Sequence, residues 1–347
     1  MRVALCHHYS LTHGGGGERI LTDVANYLST NGHEVGIYAL PFRKQGAKLN
    51  LRKDVTYTEG FHHRFKADVA YHIYAPLMPN LFRSRAPRIA GLHGAVVADY
   101  DGNPADFLKQ GPFVAGAYVF RELLGKRALR GFDAIHTVNG NSLPINHPNV
   151  YRIPNWVDCS HSVDLVRARR DREDKFRILF VGKPYYIKGF DRFLALSKLI
   201  HEDDIEFVAT FPPENLGYGG NHNVRYIGYV PNNEIWNLYR SGGLLLHPTR
   251  KETFGIVILE SLVSGLPVLT TPIPCHSGMK LPLKYASTMD GFIREVKNVY
   301  QTWKNDYDTY LKYAEAGVDA VKHYDRKLLL PQFERMLAEV AARRTRP

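Results

Sequence analysis

Short apolar runs alternate along this chain with amphipathic stretches of helical period, and most of the runs stop at a glycine, a proline or a polar residue. Met1 to His7, Arg88 to Leu92, Ala134 to Val138, Arg177 to Val181, Glu206 to Thr210, Val224 to Ile227, Leu244 to His247 and Pro267 to Thr270 read as short strands. Leu244 to His247, four positions ended by Pro248, suits a buried parallel strand. Ile20 to Ser29, the stretch with Phe193, Leu194, Leu196, Leu199 and Ile200, and Gly255 to Ser264 read as helices. Gly265 closes the last of these as its C-cap. Leu328 to Arg343 reads as a terminal helix, with Leu329, Phe333, Leu337 and Val340 near helical spacing. Strand alternating with helix predicts an α/β chain with doubly wound sheets.

A length of 347 residues exceeds what one core usually supports. We expect an N-terminal domain over 1–157, a polar linker over 158–175, a second domain over 176–325 and the terminal helix within 326–347. Hydrophobic content of 44% and charged content of 23% are those of a soluble globular protein. Cys6, Cys159 and Cys275 are odd in number and far apart, which fits neither a disulfide framework nor a zinc spacing and points to a reducing cytoplasm. No run approaches a membrane span, and the first residues read as a strand rather than a leader. The net charge of +11 allows nucleic acid, an anionic membrane surface or an acidic substrate as partner. The basic clusters, at Arg83 to Arg88, Arg121 to Arg130, Arg167 to Arg172 and Arg343 to Arg346, are spread along the chain. No zinc finger, aromatic RNA-binding pattern or basic dimer region accompanies them, so nucleic acid is not expected. The amphipathic stretch Arg121 to Arg130 suits a packed surface helix, with peripheral docking on an anionic membrane or an acceptor as the other reading.

Three segments carry candidate chemistry. Lys251-Glu252-Thr253-Phe254-Gly255 turns from a strand into the helix that bears Glu260, so two carboxylates flank a helix N-terminus at the carboxyl end of a strand. Open N–H groups and the helix dipole favour anions there. The strand Arg177 to Val181 runs into Gly182 and Lys183, and Lys188-Gly189 precedes the next helix. Near the start, Gly14-Gly15-Gly16-Gly17 opens a helix, and glycines let backbone N–H groups approach an anion with no Cβ in the way. This is neither a Walker loop nor a dinucleotide fingerprint.

The pattern Glu252-x-Phe254-Gly255-x4-Glu260, followed by Gly265-x-Pro267-Val268, resembles the glutamate-x7-glutamate signature of retaining glycosyltransferases of the GT-B fold, glycosyltransferase family 4 in particular. Gly182-Lys183-x4-Lys188-Gly189 is similar to that family's Gly-Arg-x4-Lys-Gly element; lysine at 183 keeps the charge but loses the bidentate fork. The glycine loop, Arg88 to Gly94 and Ile153-Pro154-Asn155-Trp156-Val157-Asp158 echo further family segments, with Trp156 where glycine is usual. The resemblance implies two Rossmann-like domains facing each other across a cleft, and a terminal helix that crosses back to the first. It implies a hexosyltransferase that moves a sugar from a nucleoside-diphosphate sugar without a metal or other cofactor. Lys183 and Lys188 would then grip the diphosphate with Gly182 and the N–H groups around Phe254, Gly255 and Ile256. Glu260 would bind the ribose, Glu252 the donor sugar, and Tyr229 and Val230 would line the base. Gly15 and Gly16 would approach the phosphate, and His93 would position the sugar's reacting face. Glu252, His93 and Lys188 form the implied catalytic set. The acceptor stays open among a glycan, a lipid-linked glycan, a metabolite and a protein hydroxyl.

The chain departs from the family after Thr271, where Pro272 to Lys280 contains no glutamate of the usual Gly-x-x-Glu element. A nucleotide-sugar epimerase of the same fold and a non-catalytic nucleotide-sugar binder are the alternatives. A glycosidase is disfavoured, because eight helical residues span about 12 Å whereas its carboxylates stand roughly 5 to 9.5 Å apart. His7, His8 and His13 lack a carboxylate or cysteine in register and make a weak metal site.

Overall fold

The computed structural model describes residues 1–13, 15–42, 50–73, 79–93, 116, 124–125, 127–139, 146–160, 162–167, 169, 172–211, 223–231 and 234–343. They form two compact units, Met1–Asn155 with Lys327–Pro347, and Trp156–Arg326.

In the first unit, β1 (Arg2–His7), β2 (Glu34–Ala39), β3 (Thr56–Glu59), β5 (Val69–Ile73), β7 (Arg88–Leu92), β8 (Ala134–Thr137) and β9 (Val150–Arg152) form a sheet in the order β3-β2-β1-β5-β7-β8-β9. Every pairing in it is parallel. Two short strands, β4 (His63–Arg64) and β6 (Phe82–Arg83), pair beside it. Helix α1 (Gly16–Thr30) buries Ile20, Leu21, Val24, Ala25 and Leu28, a stripe at helical spacing.

In the second unit, β10 (Phe176–Phe180), β11 (Ile205–Ala209), β12 (Val224–Tyr226), β13 (Leu244–His247), β14 (Val268–Thr270) and β15 (Lys284–Tyr285) form a parallel sheet in the order β12-β11-β10-β13-β14-β15. Described helices of this unit are α2 (Ser162–Arg167), α3 (Phe190–Leu199), α4 (Ile235–Ser241), α5 (Ile256–Val263), α6 (Pro274–Gly278), α7 (Met289–Asn305) and α8 (Tyr307–Val321). Its core joins Phe176, Phe180, Phe190 and Phe193 to Phe292, Tyr300, Trp303 and Tyr310. The final helix, α9 (Arg326–Arg343), buries Leu329, Leu330, Phe333, Met336, Leu337 and Val340, and from Lys327 onward it clusters with the first unit.

The segment 158–175, expected as a solvated linker, differs from that expectation. Trp156 and Val157 are already buried in the second unit, α2 lies within the segment, and Arg169 is 4% exposed. The Arg169 guanidinium donates to Ser264 O at 2.7 Å, Gly242 O at 2.8 Å and Tyr239 O. These are carbonyls at the C-terminal ends of α4 and α5, which a helix leaves without intrahelical partners. The charge of the segment therefore concealed a capping cation. Gly14, Arg121 to Leu123, Lys126, and Arg344 to Arg346 lie outside the described residues, whereas Arg127 to Leu129 are helical.

Candidate functional site

In the second unit the strand order reverses between β10 and β13, with β11 beyond one and β14 beyond the other. Loops leaving the carboxyl ends of two such neighbours open side by side, which is where open α/β sheets take ligands. The first loop carries Gly182, Lys183 and Lys188, and the second carries Arg250 to Gly255. Arg250 fastens them together. Its backbone N donates to Ile187 O at 2.8 Å, and its guanidinium donates to Tyr186 O at 2.6 Å and to both Asp191 carboxylate oxygens at 2.7 Å. The same guanidinium lies 3.7 Å from the Tyr186 ring centre. Gly189, at φ 74°, comes so close to the second loop that a Cβ would stand 2.0 Å from Pro248 O.

This fastening brings Lys188 and Glu252 together. Lys188 Nζ donates to Glu252 Oε2, His247 Nε2 stands 3.4 Å from the same oxygen, and Glu252 Oε1 accepts from Thr253 N at 3.1 Å. Burial works to raise the Glu252 pKa, but Lys188 and His247 outweigh it and hold the carboxyl well below the usual carboxylate range. Burial lowers the His247 pKa, against the pull of Glu252. The Lys188 side chain is 30% exposed, so its charge remains open to an arriving anion.

Gly255, at φ 85°, is the N-cap of α5, and no side chain caps that helix. The first-turn N–H groups beside half-buried Ile256 thus have no capping side chain, while Phe254 is buried with its ring against Tyr324. Gly182, at φ 133°, donates to Thr210 Oγ1 at 3.2 Å, and Lys183 is half-buried on the same loop. Tyr229 is 56% exposed after Gly228, with Val230 half-buried beside it. Glu260 is the member placed most deeply: it is 2% exposed and accepts from Tyr239 OH at 2.8 Å. Thr270 Oγ1 donates to His247 O at 2.7 Å, so at 3.0 Å it must accept from His276 Nδ1–H. His276 Nε2 is then an acceptor facing Gly255, and burial pushes this imidazole down to about 4. The departure after Thr271 thus places a neutral histidine beside the α5 N-terminus.

In the first unit, Gly15 is the N-cap of α1 and Gly16 its first residue. Glu18, 6% exposed, folds back so that its Oε2 would lie 2.6 Å from a Cβ at Gly15, and its Oε1 is 3.4 Å from His7 Nε2. A carboxylate therefore already sits at the positive end of α1. His93 follows β7. His136 Nε2 is 2.8 Å from Ile153 O and must donate there, so its Nδ1 accepts from Tyr71 OH at 2.6 Å. The Tyr71 oxygen then accepts from His93 Nε2–H at 2.6 Å. Burial pushes His93 down to about 3 and His136 to about 4, so both are neutral near pH 7. His93 therefore holds its Nε2 proton in a fixed direction, which suits positioning rather than proton abstraction. Gly91 is required beside this chain, because a Cβ there would lie 2.0 Å from Tyr71 OH.

Residues 164–298 match the model of the family described as glycosyl transferases group 1, which lies within the second unit. The match makes this part of the chain similar to group 1 glycosyl transferases. The lipopolysaccharide glucosyltransferase WaaG of Escherichia coli is 23% identical over 79% of this chain and 81% of its own length. Other curated relatives match over only about a third of their length. Among solved structures, sucrose-phosphate synthase from Thermosynechococcus elongatus superposes with a TM-score of 0.76 at 12% identity, over 99% of this chain and 100% of that one. Anabaena HepE in complex with UDP-glucose gives 0.68 at 15% identity over 98% and 100%. The fold is GT-B, and residues 164–298 are similar to group 1 glycosyl transferases.

Several residues that organise this site escaped the sequence reading. Arg250 and His247 flank the recognised motif without belonging to it, and only the three-dimensional approach of the two loops reveals them. Tyr239 and Tyr71 look like ordinary core aromatics in sequence; their hydroxyl partners give them a second role. Among the described residues, no three His, Cys, Asp or Glu side chains group as a metal site, and no helix is long and apolar enough to cross a membrane.

Proposed function

We propose that this chain is a metal-independent, retaining glycosyltransferase of family 4 type that uses a nucleoside-diphosphate sugar. The observation that carries the reading is the Lys188–Glu252 pair at the uncapped N-terminus of α5, held at the switch point of the sheet by Arg250. When the bond from the anomeric carbon to the diphosphate oxygen breaks, negative charge grows on the leaving group. Lys188, Lys183 and the first N–H groups of α5 stabilise it as preorganised donors. The acceptor oxygen bonds to the same face of that carbon, and its proton passes to the departing phosphate, so no side-chain base is required. Glu252 orients the donor sugar, and Glu260 holds the ribose with Tyr239 setting its carboxylate. Tyr229 and Val230 line the base. Gly15, Gly16 and His93, from the first unit, complete the set by analogy with the family. That one neighbour is solved with UDP-glucose bound supports a nucleotide-sugar donor. The acceptor is a glycan, a lipid-linked glycan, a metabolite or a protein hydroxyl, and the reading includes a cytoplasmic location with peripheral contact on an anionic membrane.

Calorimetric titration with UDP, GDP and ADP, then with sugar conjugates of the nucleotide that binds, tests the reading. Selective nucleotide binding, followed by slow sugar release with the α or β configuration kept, is expected. Absence of binding to all three nucleotides would overturn the proposal, and an inverted product would overturn retention alone.

A further inference from the structure

The first unit bears a strongly basic groove far from its glycine loop. Arg64 and Arg83 stand directly opposite each other in the β4–β6 pair, and Lys66 and Arg85 follow two residues on, just past the end of each strand. All four are exposed and line one groove, while Phe65, between Arg64 and Lys66, is buried and Ser84, between Arg83 and Arg85, is half-buried. The groove encloses about 1430 Å³, and its floor includes Phe65 and the Ala338 and Ala341 face of α9. Like charges directly opposite on paired strands are destabilising, yet among the described residues no carboxylate pairs with any of these four cations. The one carboxylate lining the groove, Asp68, is already bonded to Arg2 at 2.8 and 3.0 Å. The groove sits at the amino ends of β1, β5 and β7, the edge opposite Gly15 and His93. The length of β1, roughly 20 Å, separates the two ends.

We infer that this basic ladder is the surface by which the chain docks on an anionic phospholipid bilayer, a site distinct from the sugar-transfer site. The inference rests on the peripheral-contact reading above and gives it an address. Mobile anionic headgroups gather under a cation cluster without needing a fixed phosphate spacing, and the apolar floor accommodates the headgroup–acyl boundary. Single-stranded nucleic acid, by contrast, needs exposed rings for base stacking, and the aromatic ring lining this groove, Phe65, is 8% exposed.

The test is co-sedimentation of the full chain with vesicles of phosphatidylcholine alone or with about one third phosphatidylglycerol, at low and high salt. Each cation near the surface strengthens partitioning about fivefold, so Arg64→Gln with Arg83→Gln should weaken it roughly thirtyfold. Arg64→Lys with Arg83→Lys should retain binding. Lys297→Gln with Lys312→Gln, exposed cations of the second unit, should also leave binding near wild type. The glutamine pair should be at least as stable as wild type, since it relieves an opposed like-charge pair, so lost binding would not reflect misfolding. Wild-type binding that the glutamine pair leaves unchanged would overturn this surface while sparing peripheral contact. No wild-type binding to anionic vesicles, or binding to heparin or DNA stronger than to those vesicles, would overturn both.

Discussion

Replacing Arg250 with methionine should loosen the site before it touches any ligand. The side chain removed makes a two-pronged bond to Asp191, a bond to Tyr186 O and a stack on the Tyr186 ring. Asp191 is 30% exposed, so solvent screening limits the ion pair to about 1 kcal/mol. The charge-assisted bond to the carbonyl contributes about 1.5 kcal/mol and the stack about 0.5 to 1 kcal/mol. The loss is therefore about 3 kcal/mol, all of it from the second unit. Trp156, Trp236 and Trp303, the three tryptophans of the chain, also belong to that unit, so urea unfolding followed by tryptophan fluorescence reads it selectively. Arg250→Lys keeps the charge without the fork and should recover only about 1 kcal/mol. Because the lost contacts hold the turn that presents Lys188, nucleotide affinity should fall about tenfold alongside stability, where 1.4 kcal/mol is one decade. Stability within 0.5 kcal/mol of wild type, a margin of about the size seen for neutral surface changes, would refute the clamp. A normal nucleotide affinity despite the stability loss would refute its link to Lys188.

Further outcomes follow from neighbouring residues. Tyr239→Phe removes the hydroxyl that orients Glu260 and should weaken nucleotide binding several-fold in titration calorimetry, whereas Glu260→Ala should weaken it more; equal and normal affinities would separate Glu260 from the ribose. Gly189→Ala faces the Pro248 carbonyl and a left-handed backbone together, so thermal unfolding of the second unit should drop by several degrees, and an unchanged midpoint would contradict the close approach. His72, His93 and His136 belong to the first unit, and burial pushes them down to about 3, 3 and 4. The unfolded chain therefore takes up protons first as pH falls below about 6.5, and these three histidines lower stability by up to about 4 kcal/mol per pH unit towards pH 4. A flat unfolding midpoint between pH 7 and pH 5 would show that these imidazoles are not held neutral.

The legible part of the chain was the part whose local pattern and tertiary role coincide. Leu244 to His247 and the helix before Gly265 were readable because a buried parallel strand is simply apolar, and the left-handed position just past the Ser264 C-cap favours glycine. The Glu252 to Glu260 motif was readable because its residues lie within one short stretch of sequence. Strands β3 and β9 were not: Thr56–Glu59 and Val150–Arg152 lack a fully buried run. Arg169 misled for a related reason, since a guanidinium that caps two helices has the same composition as one that faces water. The polarity of the Tyr71, His93 and His136 chain follows from which carbonyl happens to lie beside His136, a fact of tertiary structure with no trace in the sequence.

The discontinuity of the first unit bears on the order in which the protein is made. Phe333 of α9 lays its ring 4.9 Å from that of Tyr71 and 5.4 Å from that of His136, so the last helix covers the chain that fixes His93. During synthesis the residues from Met1 to Asn155 leave the ribosome long before that cover exists, while the second unit is complete as soon as Arg326 emerges. We expect the second unit to become protease-resistant first on stalled nascent chains, and the first unit to do so only after α9 is released. The second unit would then form as an autonomous body, with the first finished by α9.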